Sequence, residues 1–162
     1  MMQHDFDLDE LSAIGRYEIE KDRLGEGISY LKTYLKQGGE DPEVKSLLAN
    51  AYLKVNLSEK AMPLLEAYLS SNTSDYQAKF NYVMIFHDQG DYAKAKSELS
   101  EVLNISPEFP PAQFFYAVCL HNIGEVTTTV ELLNQLANTL DANNFYHKES
   151  LKLKAQIAAN AA

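Results

Sequence analysis

The chain has 162 residues, 46% of them apolar, with 23 acidic against 14 basic side chains and a formal charge of −9. That length suits one domain with a sizeable core, and the scattered, outnumbered basic residues exclude the basic stripe that binding nucleic acid requires. No apolar run is long enough to cross a bilayer, so no membrane insertion is expected. The stretch Met1 to Glu10 is acidic and lacks the basic-then-apolar order of a secretory signal, which sets a cytoplasmic location as the expectation.

Small residues recur at Gly27, Ala61, Ala95 and Thr129, a constant 34 residues apart, and Leu31, Leu65, Leu99 and Leu133 repeat the interval four places later. Self-similarity at that period marks a helix-turn-helix unit that cannot bury its apolar face alone and stacks on copies of itself. In chain order, a degenerate first unit runs from about Leu8 to Asp41, preceded by Asp5 and Asp7 and carrying Asp9 and Glu10 at its start. Asp41 can cap the helix that Pro42 opens, and the second unit, Pro42 to Asp75, holds a further candidate cap in Ser58. Pro63, about a turn inside the next helix, removes a backbone donor and is expected to bend or loosen it. The third unit, Tyr76 to Phe109, turns at Gly90 and can be capped by Asp91. The fourth, Pro110 to Asn143, opens on Pro110 or Pro111. A last helical segment from about Asn143 to Asn160 can close the array, with Tyr146, Leu151, Leu153 and Ile157 inward and Lys148, Lys152 and Gln156 toward water.

In the third unit Tyr82, Phe86, Gly90, Asp91, Tyr92, Ala95, Leu99 and Pro107 keep the order and spacing of the tetratricopeptide pattern, with Val83 where that pattern usually has Gly. The chain resembles the tetratricopeptide repeat family over nearly all its length. Thr129 in place of Ala, Glu18 in place of an aromatic and the lack of the consensus Trp mark the outer units as the less regular ones. The resemblance implies an all-α fold, a right-handed superhelix of about four units plus a capping helix, in a single domain over residues 1–162. It also implies a protein-interaction module with no catalytic residues of its own.

The candidate binding residues lie on the first helices of the units. Phe80, Tyr82, Val83, Met84, Ile85 and Phe86 surround one helix almost completely, and Phe114, Phe115, Tyr116, Val118, Cys119 and Leu120 do so one period later, where a surface helix needs only one apolar stripe. Tyr82, Phe86, Tyr116 and Leu120 belong to the packing pattern, which leaves Phe80, Met84, Phe114 and Val118 for a second face. The resemblance places these four in a concave groove, bordered by the polar side chains of Asn50, Asn81, His87 and His121. An apolar centre with a hydrogen-bonding rim is the layout of a peptide site, so the expected ligand is an apolar or amphipathic segment of a partner protein. The alternative is that the superhelix or the terminal helix covers these side chains as core.

The basic clamp by which some members of the family hold an acidic C-terminal tail is not matched. Its places carry Ser12 and Arg16, Ser46 and Asn50, Phe80, Asn81 and Met84, then Pro111 and Phe115. No phosphate loop, paired-His or paired-Cys pattern is present, so neither a metal nor any other cofactor is expected. His87 and His121, one period apart, make two ligands without a third. Cys119 among apolar neighbours reads as a buried, inert thiol. A monomer is expected, with head-to-tail or other self-association as the alternative. Two other roles compatible with the pattern are a small secretion chaperone and the repeat portion of a larger bacterial enzyme, such as a sulfotransferase.

Overall fold

The computed structural model describes residues 6–160, and within them every regular element is an α-helix. Asp5, with the rest of residues 1–5 and 161–162, lies outside the described residues. The helices group into two compact units, the first ending at Ala78 and the second beginning at Lys79.

The first unit holds α1 (Leu8–Glu20), α2 (Leu24–Lys36), α3 (Pro42–Lys54) and α4 (Ser58–Leu69), together with the opening residues of α5 (Tyr76–Asp88). Helix α1 starts with a capping box: the Glu10 N–H donates to Asp7 Oδ1 over 2.8 Å and the Asp7 N–H to Glu10 Oε2 over 3.0 Å. Two of the four orphan donors of the helix start are thereby satisfied, a gain on the order of 1 kcal/mol. Asp41 caps α3 as its place before Pro42 implies, accepting from the Glu43 N–H over 2.9 Å. Its other carboxylate oxygen receives Arg16 at 2.7 Å. Ser58 is the first residue of α4 and makes no side-chain cap, a correction to the expected capping role; Leu57 stands at the cap position and offers no side-chain acceptor. The helix runs on through Pro63.

The 34-residue column is the place where paired helices cross. Ala61, Ala95 and Thr129 are fully buried, as are Leu31, Leu65, Leu99 and Leu133. At the first crossing both helices present glycine, since a Cβ at Gly15 would stand 2.4 Å from Leu31 Cδ2 and one at Gly27 would stand 2.6 Å from Ile19 Cδ1. Thr129 fits the crossing because its hydroxyl donates to the Glu125 carbonyl over 2.8 Å, so its buried oxygen has a partner. Glu18, one period before Tyr52 and two before Phe86, is held by Arg23, whose guanidinium keeps the carboxyl below its usual range.

The second unit continues α5 and adds α6 (Tyr92–Ile105), α7 (Pro110–Asn122), α8 (Val126–Thr139) and α9 (Phe145–Asn160). Asp91 caps α6 by accepting from the Lys94 N–H over 3.1 Å, and Pro110 opens α7. Helix α9 packs on both α7 and α8, burying Ile157 and Ser150 and laying Tyr146 and Leu153 on the core. Leu151 is the exception to its expected inward set, at 46% exposure. Lys148, Lys152 and Gln156 are exposed as expected.

Candidate functional site

Six of the candidate residues, Phe80, Asn81, Met84, His87, Val118 and His121, are partly buried on α5 and α7 of the second unit. Phe80 stands edge-on to Phe109 at 5.3 Å between ring centroids and tilted toward Phe115 at 5.9 Å. The His87 ring meets Phe115 edge-on at 5.0 Å and Tyr92 at 5.5 Å. From Phe115 the rings continue through Phe114 to Tyr146 and Phe145 on α9. Such edge-to-face contacts set the positive rim of one ring against the negative face of the next and contribute about 0.5–1.5 kcal/mol each beyond area burial.

The file of rings divides the expected apolar face in two. Phe80, Met84, Phe115 and Val118 keep part of their surface open. Phe114 does not: at 8% exposure it belongs to the core with Ala117, Leu133, Leu136 and Ile157, under Tyr146 and Leu153. The expectation that it shares an open face with Phe80 is corrected by α9, which takes the place on α7 that α7 itself takes beside Phe80. Phe115 joins the open group instead. Its tie to Phe80 and His87 has no sequence signal beyond its position next to Phe114 on a helix with apolar residues all round. Asn50 is partly buried on α3 in the first unit.

The polar rim has a distinct electrostatic character. His87 Nδ1 lies 3.2 Å from Asp88 Oδ1, while its Nε2 and His121 Nδ1 are buried without a hydrogen-bond partner among the described residues. An imidazole nitrogen left in that state costs on the order of 1–3 kcal/mol. The one arginine at a clamp place, Arg16, is tied to Asp41 and Ser12. Cys119 is fully buried, and burial pushes its thiol up to about 11, so it carries no thiolate near neutral pH. Among the described residues no group of three or more His, Cys, Asp or Glu side chains could hold a metal ion. No helix there is long and apolar enough to cross a membrane.

Residues 86–157 match the tetratricopeptide repeat family. The fold is similar to that of YrrB, described as a tetratricopeptide protein with an unusual peptide-binding site, with a TM-score of 0.79 and 18% identity over 90% of this chain and 74% of that one. MamA of AMB-1 matches with a TM-score of 0.76 and 18% identity over 87% of this chain and 79% of its own. MamA of MSR-1 matches with a TM-score of 0.72 and 14% identity over 100% of this chain and 83% of its own. No curated protein sequence matches the chain. The fold of the described residues is that of tetratricopeptide repeat proteins, the 34-residue period runs along the chain, and residues 86–157 carry the family's signature.

Proposed function

We propose that the chain is a protein-interaction scaffold whose second unit takes an apolar or amphipathic segment of a partner on the face formed by Phe80, Met84, Phe115 and Val118. Asn81, His87 and His121 border that face and orient the segment's backbone. The observation that carries this reading is the partial exposure of these side chains beyond a core that α5 and α7 already complete with Val83, Ile85, Phe86, Ala117 and Leu120. Large apolar groups held half open on rigid helices lose little conformational freedom when a ligand covers them. Phe114 supports the face from below.

Partners captured on the immobilised protein, identified and reduced to their shortest binding peptide, test this directly. The double variant Phe80→Ala with Met84→Ala is expected to weaken that peptide at least about tenfold, since truncating anchor side chains at the centre of an interface costs more than about 1 kcal/mol each. Phe114→Ala is expected to lower folding stability by about 3–5 kcal/mol through the cavity it leaves. Unchanged affinity in the double variant would remove the proposal.

A further inference from the structure

Within each unit a cleft lies where two second helices flank a first helix. In the first unit α2 and α4 flank an open one of about 680 Å³ over α3, floored by Leu35, Leu48, Tyr52 and Leu64. In the second unit α6 and α8 enclose another of about 200 Å³ over α7, with Leu103, Tyr116 and Leu132 at the places of Leu35, Leu48 and Leu64 two repeats earlier. The floors correspond and the rims do not. The first cleft is lined by Lys32, Lys36 and Lys60 against the single acid Glu59. At the corresponding places two repeats later stand Ser100, Asn104 and Thr128. The packing of the repeat therefore does not require these lysines, and they reverse the local charge of a chain whose net charge is −9.

Two further features fix the chemistry of the first cleft. Lys32 and Lys36 stand one turn apart on α2, about 6 Å along its axis, while Lys60 comes from the opposite wall and lies 5.9 Å from the Tyr52 ring. Ammonium groups spread over two walls match carboxylates distributed along a chain better than one compact anion, which would be gripped by converging backbone N–H groups. Pro63 lines the same cleft and has no N–H, so the Glu59 carbonyl lacks its helical donor and is left as an acceptor at the lip.

We propose that this cleft is a second docking site, separate from the face on α5 and α7, for an acidic segment of a partner protein. Apolar side chains of that segment cover Leu35 and Leu64, which stay partly open above buried Leu48 and Tyr52, its carboxylates meet Lys32, Lys36 and Lys60, and a backbone N–H reaches the Glu59 carbonyl.

A random 12-residue peptide library displayed on phage and selected on the intact protein tests the assignment, with the enriched peptides then synthesised and titrated. Enrichment of Asp and Glu interleaved with apolar residues is expected. Binding should fall at least about tenfold in the variant Lys32→Glu, Lys36→Glu, Lys60→Glu and on passing from low to high salt. The Lys→Gln triple should lose less, and Phe80→Ala with Met84→Ala should leave these peptides bound. All three lysines line the rim and not the core, so the melting temperature of either triple should stay near that of the wild type, which excludes misfolding as the cause. The proposal is overturned by a selection without an acidic and apolar consensus, by acidic peptides that bind the Lys→Glu triple as well as the wild type, or by their ready displacement by inorganic phosphate. Loss of binding on Phe80→Ala with Met84→Ala would move the peptides to the other face and overturn it equally.

Discussion

Ala95 and Leu99 sit one helical turn apart with no exposed surface, and that pair of positions sets how closely two helices approach. Ala95→Leu is expected to cost about 1–3 kcal/mol by overpacking and Leu99→Ala about 2–5 kcal/mol by leaving a cavity, both read from urea unfolding. A variant Ala95→Leu as stable as the wild type would place the crossing elsewhere. Cys119 gives a second expectation at this scale. Its thiol ionises near its ordinary value of 9.0 when the chain is unfolded, but burial holds it protonated to about 11 when folded. Above the unfolded value the folded state therefore binds more protons, so this contribution is intact below pH 9.0 and is lost as pH rises toward about 11. Cys119→Ala should flatten the fall in stability across that window, and the native thiol should react with a disulfide reagent only at the rate of unfolding. The crossing residues were legible in the sequence because a small side chain recurring at a fixed period marks the one place where two helix backbones must come close. The burial of Phe114 was not, because a helix apolar on every face marks no preferred side.

At the scale of the helix, caps written in side-chain chemistry were readable and caps formed by backbone alone were not. Asp41 before Pro42 and Asp91 after Gly90 carry their acceptors into place, whereas α4 begins after Leu57 and leaves Ser58 already inside the helix. Helix α9 shows the same division. Its inward stripe of Tyr146, Ser150, Leu153 and Ile157 follows the three-and-four spacing of a helix face, and Leu151 falls off it by geometry despite its apolar side chain. Ile157→Asp is therefore expected to lower the melting temperature by several degrees, since it places a charge in the core with Phe114 and Leu133. Leu151→Ser should change stability by no more than about 0.5 kcal/mol. Equal effects would mean that α9 presents a different face to α7 and α8.

Across the whole molecule, the period was the strongest signal, since it repeats four times in one chain and demands that each unit find its core in its neighbours. The candidate face was legible in part: the apolar excess singles out α5 and α7, but which rings stay open depends on what packs beside each helix, and α9 decides that for Phe114. The lysine cleft leaves no mark in the sequence because Lys32, Lys36 and Lys60 are gathered from two helices and no local pattern joins them. The account rests most heavily on a ligand face formed by α5 and α7 in the second unit. Amide hydrogen exchange of the full chain with and without its captured partner peptide measures this most directly: slowed exchange concentrated in residues 79–88 and 110–122 is the expected result, and protection confined to other helices, or none at saturating peptide, would contradict it.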